Sequence, residues 1–175
     1  MRGLIPAASG LGLSGRLRLT IVDPEGRPVR SAETSNLMCS AGLTVLAQTI
    51  NWSGIADENQ QMGSPFSYVD LTPIYGALGT GTAQPASSDV ALGNEGARAV
   101  VAMAATVPSP AQFMWQFFFS TVQSAVTWTE AGVFVQASAA SGAGSLLDHA
   151  LFQTAVTQGA GQGALLQATF TLVAA

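Results

Sequence analysis

Residues 111–120, AQFMWQFFFS, carry the reading that decides the fold. Phe113, Trp115, Phe117 and Phe119 fall on one side of an alternating pattern, and Gln112, Met114, Gln116 and Phe118 on the other, which is the period of two of a β-strand. Burying the four aromatics of the first face contributes several kcal/mol at ~25 cal/mol per Å2 before entropy is subtracted, so this segment is expected to be a central strand. Outward from it, LTPIYGAL (71–78), ARAVVAMAAT (97–106), SAVTWTEAGVFVQ (124–136), SLLDHALFQTAV (145–156) and GALLQATFTLV (163–173) are also strand-like. They are separated by VPSP (107–110), ASAASGAG (137–144) and TQGAGQG (157–163), whose glycine, serine and proline content marks turns. LLDHALF also fits a period of 3.6, so a helix over 145–156 stays open.

Nearer the N-terminus, RLRLTIVD (16–23) alternates Leu17, Leu19 and Ile21 with Arg16, Arg18 and Thr20. DPEGRP (23–28) turns the chain and VRSAET (29–34) returns it as a hairpin. NLMCSAGLTVLAQTINW (36–52) breaks the alternation: its apolar residues are spaced by three and four, Ser35 or Asn36 can cap its start and Ser53-Gly54 its end, so one helix is expected there. Gly42 inside it costs ~1 kcal/mol relative to Ala. Residues 54–70 lose periodicity and form a long connection. Eight strands at regular spacing with one short α-helix give a mainly β chain, a single β-sandwich of the jelly-roll kind or near it, over residues 16–175, preceded by an extended arm over 1–15.

The composition limits the partners. Apolar residues make up 48% of the 175 and charged residues only 9%, against ~25% in ordinary soluble domains, so the surface must be covered with small neutral side chains. Such a surface suits a subunit packed among others. There is no lysine, five of the six arginines lie in the first 30 residues, and the net charge is -4; binding to nucleic acid by counterion release has little to work with. No apolar run approaches the ~20 residues of a membrane helix, and the apolar start of the chain, broken by Pro6, is too short for a signal peptide. Nucleic acid and membrane are therefore not expected as partners.

The chemical motifs are weak. GLGLSG (10–15) spells a dinucleotide fingerprint without the strand before it and the helix after it that the pyrophosphate requires. The GTGT of residues 79–82 lacks the lysine of a phosphate loop. His149 is the only histidine and Cys39 the only cysteine; Asp148 and His149 are adjacent and point to opposite faces of a strand, and Cys39 reads as a small buried hydrophobe. Ser141 or Ser145 with His149 is a triad by inventory only. Paired carboxylates would have to be drawn from Asp57, Glu58, Asp70, Asp89, Glu95, Glu130 and Asp148. Glu130 interrupts an apolar strand, so either a bulge turns it outward or an arginine pairs with it, and Arg98 is the natural partner. No catalytic residue, metal site or cofactor is assigned.

Three stretches occur in a familiar order: IYGALGTGTAQPASSDVALGNEGAR (74–98), TWTEAGVFVQ (127–136) and LLDHALFQTAVTQGAGQGALLQATFTLV (146–173). Together they resemble a broad family of tailed-bacteriophage virion proteins, labelled tail fibre, minor tail or structural protein. Its members carry G-T-G-x-x-x-P-x-x-x-D-x-x-L-x-x-E, then E-A-G-L-F, then a closing pair of strands. The matching positions are Gly79, Thr80, Gly81, Pro85, Asp89, Leu92 and Glu95, followed, after Arg98, by Glu130, Ala131, Gly132, Val133 and Phe134. Asp148-His149 departs from the small residue and arginine common there in such proteins. The resemblance implies a non-enzymatic virion subunit, placed at the tail or baseplate as a fibre or adaptor, or on the capsid as a decoration protein. It would be assembled in the host bacterial cytoplasm and contact copies of itself and neighbouring virion proteins. A host-surface glycan-binding module, with Trp52, Tyr68, Tyr75 or Trp128 as stacking platforms, is the alternative, and a hydrolase with paired carboxylates ranks third.

Overall fold

In a computed structural model, which describes residues 11–53, 71–106 and 111–174, the aromatic strand lies inside the sheet, hydrogen-bonded on both sides. It is β6, Gln112–Phe119. Phe117 is fully buried and Trp115 and Phe119 nearly so, whereas Phe118 is 55% exposed, so the alternation of the sequence is the alternation of burial. In chain order the other elements are β1 (Leu11–Val22), β2 (Pro28–Ser35), β3 (Leu37–Met38), α1 (Ser40–Ser53), β4 (Tyr75–Gly79), β5 (Glu95–Thr106), β7 (Val126–Val135), β8 (Ser145–Gln158) and β9 (Gly163–Ala174). The nine strands among the described residues form one antiparallel, nearly closed sheet in the order β2-β1-β9-β6-β5-β4-β7-β8-β3.

The chain is thus mainly β with one short helix, as its periodicities require. The two halves of the sheet are continuous because β5 changes partner: Glu95–Val100 pairs with β4, and Val101–Thr106 with β6. One core lies between them, built from Leu17, Leu19 and Ile21 of β1, the β6 aromatics, Ala131, Val133 and Val135 of β7, and Leu166, Ala168 and Phe170 of β9. Phe113, Trp115 and Phe170 meet with ring centroids 5.1–5.2 Å apart.

Two boundaries differ from expectation, and the choice left open over 145–156 is decided. Residues 11–15, expected in the arm, continue β1 and pair with residues 170–174 of β9; residues 1–10, like the 54–70 connection, lie outside the described residues. Residues 145–156 are strand throughout, because β8 is anchored by a ladder to β7 over most of its length. The helix starts at Ser40 rather than Asn36: Leu37 and Met38 are taken by a ladder to His149 and Asp148, and Cys39 O accepts the first helical bond, from Leu43 N. The helix is pressed so closely on β8 that a Cβ on Gly42 would lie 2.3 Å from Leu147 Cα and 2.7 Å from Leu146 O. Its glycine is a packing requirement.

Helix propensity alone favours Gly42→Ala by ~1 kcal/mol. The backbone of Leu146 and Leu147 cannot yield as a side chain would, so the substitution is expected to destabilise the protein by roughly 1–2 kcal/mol net. A urea midpoint that falls at unchanged slope is the expected observation; a rise would contradict the packing.

Candidate functional site

Two apolar strands in register, β7 and β8, are each interrupted by polar residues: Glu130 on β7, Asp148 and His149 on β8. Gly132 stands opposite His149 and Glu130 opposite Leu151, which makes Glu130 and His149 diagonal neighbours on one face. Over that face passes the 80–94 loop. Glu130 is completely buried, although a register shift does occur beside it. Its carboxylate takes four donors: Oε1 accepts from Gly81 N (2.8 Å) and Asn94 N (2.8 Å), and Oε2 from Gly93 N (3.0 Å) and lies 3.0 Å from His149 Nε2.

Close approach of backbone to carboxylate requires glycine here. A Cβ at Gly79 or Gly81 would sit 2.4 Å from Glu130 Oε1. On the far side of the imidazole, Nδ1 meets Asp89 Oδ2 at 2.7 Å, and the same oxygen accepts from Ala86 N. Both ring nitrogens therefore face carboxylates, and a ring protonated on both satisfies both contacts. Burial alone would raise the Glu130 carboxyl; the N–H groups of Asn94, Gly93 and Gly81, together with His149, outweigh it and hold the group below its ordinary range. Asp89 is likewise lowered, burial being outweighed by Ala86 N and His149.

The expected Arg98–Glu130 pair does not form. Arg98 instead grips Glu95 with two parallel bonds, Nε to Oε1 at 2.7 Å and Nη2 to Oε2 at 2.8 Å. It donates from Nη1 to Ser138 O and Ala143 O and lies 4.1 Å over the Phe134 ring. Glu95 also accepts from Gly142 N. These two residues staple the 138–144 turn, where Gly142 and Gly144 have positive φ. Arg98 is three residues from Glu95 and cannot serve Glu130 as well.

Asp148 is the third buried carboxyl. It reaches Val133 N (2.7 Å) and Asn36 Nδ2, and burial, only partly offset by these donors, pushes it up to about 7. Asn36 Oδ1 is buried with no partner. The Cys39 thiol is pushed up to about 12, by burial first and then by the charges of Asp148 and Asp89, so it is no nucleophile at neutral pH.

All eight motif residues thus belong to one construction. Gly79, Gly81, Asp89, Glu130 and Gly132 surround the carboxylate–imidazole contact, Glu95 and Arg98 hold the adjoining turn, and Pro85 lies in the groove beside His149. Asn94, Gly93 and Asn36 are participants that residue type did not reveal. The signal that points to His149 is the coincidence of polar interruptions in two neighbouring apolar strands. Chemically the arrangement is saturated: every acceptor position of Glu130 and both nitrogens of His149 are engaged, leaving no base for Ser141 or Ser145. Among the described residues no group of three His, Cys, Asp or Glu is placed to hold a metal ion, and no described helix is long and apolar enough to cross a membrane. Asp57, Glu58 and Asp70 lie outside the described residues. No family model, curated protein or solved structure matches the chain.

Glu130→Ala leaves three backbone N–H groups and an imidazole without their acceptor and is expected to cost at least ~3 kcal/mol, read by chemical denaturation. Because the folded Glu130 and Asp89 carboxyls are lowered, their contribution is complete above the unfolded range of about 4–4.5 and is lost as pH falls through the depressed folded values. In Glu130→Ala, part of that acid loss disappears. Asp148 has the opposite sign: folded at about 7 against 3.8 unfolded, it binds more protons in the native state between those values, so stability falls as pH rises through them. Asp148→Asn is expected to be more stable than the parent at pH 8, by on the order of 2 kcal/mol, with the gain vanishing toward pH 4. Parallel pH–stability curves for the two proteins would contradict the assignment.

Proposed function

We propose that this chain is a non-enzymatic structural subunit of a tailed-phage virion, at the tail or baseplate or on the capsid as a decoration protein, held in place through neutral surfaces. The observation that carries this reading is where the charges go. After Glu33, the charged residues among those described are Asp89, Glu95, Arg98, Glu130 and Asp148, and each is bonded into the fold. The side chains of Glu95 and Arg98 are 6% and 4% exposed, that of Asp89 is 27% exposed, and Glu130 and Asp148 are fully buried. The exposed charges lie on the β1–β2 hairpin, in Arg16, Arg18, Glu25, Arg27, Arg30 and Glu33. A face without charge is poorly suited to standing alone in water and well suited to contact with other subunits.

The resemblance of residues 74–98, 127–136 and 146–173 to virion proteins supports the same conclusion, because the residues that carry it are consumed in holding a loop onto a sheet. The saturated Glu130–His149 pair offers a substrate no free acid or base. The glycan-binding alternative loses one platform: Trp128 is 3% exposed and donates its Nε1 to Gln158. Tyr75 packs against the small cluster around Phe134, and Trp52 and Tyr68 have no described side chains.

The reading is tested on particles of the phage that encodes the chain, purified by density banding and quantified by mass spectrometry. The chain is expected at fixed stoichiometry in the banded particles. Its absence from them, with abundance in the lysate, would overturn the proposal, and saturable binding of the isolated protein to a host glycan would favour the adhesin instead.

A further inference from the structure

Where β5 changes partner, the sheet splits. Along Glu95–Ala99 the side of β5 that faces β6 carries no ladder, since pairing with β6 begins only at Val101. Val101 N donates to Ile74 O, which fixes the alternation: the backbone groups of Arg98, one residue out of phase with Val101 and Ala99, point away from β4 and into the split. The split is a surface groove lined by Ala97, Ala99, Val100, Phe118, Val122 and Val126, among others. Val100 and Phe118 are 52% and 55% exposed. The one charged residue lining it, Arg98, is already paired with Glu95. An uncharged groove with an unpaired strand edge and small side chains on one bank fits an extended, neutral, apolar segment.

We propose that this groove receives residues 1–10 of a second copy of the chain, MRGLIPAASG, with Leu4 and Ile5 seated against Val100, Phe118 and Val122. The segment is small and apolar, and Arg2 is its only charge. Pro6 removes one N–H, which an edge position tolerates. Geometry decides between the chain's own segment and a neighbour's. Leu11, where the segment joins the barrel, pairs with Ala174, whereas Phe119, beside the groove, pairs with Ala164 at the other end of β9. The separation is roughly 33 Å along the strand and two strand spacings, about 10 Å, across it. Ten fully extended residues span at most ~33–36 Å. The segment can barely touch its own groove and has no length left to lie in it, but it leaves the barrel at the end where a copy stacked on this one would present its groove. The contact is head-to-tail, so it propagates into a ring or a stack. This inference concerns contacts between copies only and stands apart from the virion reading.

The test is sedimentation of the full chain across a concentration series, beside Ile5→Asp in the segment and Val122→Asp in the groove. A synthetic peptide of residues 1–10 is titrated into the two variants. The parent chain is expected to associate, both variants to weaken association by at least about tenfold, and the peptide to bind Ile5→Asp but not Val122→Asp. A monomeric parent, an Ile5→Asp variant that assembles as the parent does, or peptide binding that ignores Val122→Asp would each overturn the proposal. Ile5 lies before the first strand, so its variant remains informative if Val122→Asp fails to fold.

Discussion

The carboxylate of Glu130, buried without a cation from lysine or arginine, is the constraint around which one side of the molecule is organised. An unpaired charge in that position would cost several kcal/mol. Three peptide N–H groups and an imidazole meet it instead, and all three N–H groups come from the two ends of the 80–94 loop. The loop is closed on itself at the same place by Thr80 N to Asn94 O and Asn94 Nδ2 to Thr80 Oγ1. Thr129 Oγ1 donates to Gly81 O next door. With its base fixed, the loop lays Leu92 over a second small core of Ala77, Phe134, Leu146 and Cys39 and offers Ser87 O to Ser40 N at the start of α1. The helix, the loop and the β7–β8 ladder therefore stand or fall together.

Three carboxyls buried within a few strands of each other are handled in three ways. Glu95 has an arginine held by two parallel bonds and roofed by an aromatic ring; Glu130 has peptide dipoles and a histidine; Asp148 has one N–H and one amide, and keeps its proton up to about 7. The difference follows the number of donors within reach. Four donors hold an ionised carboxylate, whereas two do not offset full burial. Protonated Asp148 also has a hydroxyl to give, and the unpartnered Asn36 Oδ1 beside it is an acceptor that the hydroxyl can use once the Asn36 amide turns over.

The sequence makes the strands legible because both faces of β6, and of Leu17-Leu19-Ile21, differ sharply in polarity. It misplaces the start of α1 because Leu37 and Met38 are apolar at helical spacing, and only the presence of β8 recruits them into a ladder. The importance of Glu130 is visible as an interruption, but its partner is not. Charge pairing points to Arg98, the only arginine after residue 30, while backbone N–H groups have no side-chain signature and Gly81, Gly93 and Asn94 look like ordinary turn residues. Likewise the reason for Gly42 lies in the approach of a strand more than one hundred positions away, which local propensity cannot register.

The same economy bears on the outside of the molecule. With charged residues at only 9% of the chain, every carboxylate and arginine used to fasten loops inside the fold is one fewer at the surface. The described part after Glu33 has committed all of its charges to that purpose. The solvation that charged side chains ordinarily supply is missing over β5 and the adjoining end of β6, where Val100, Met103 and Phe118 stand exposed. The Arg16–Glu33 pair lies instead on the β1–β2 hairpin. Interior fastening and surface neutrality are therefore one consequence of one composition. A barrel stitched together by its few charges is left with a face whose free energy in water falls when another neutral surface covers it.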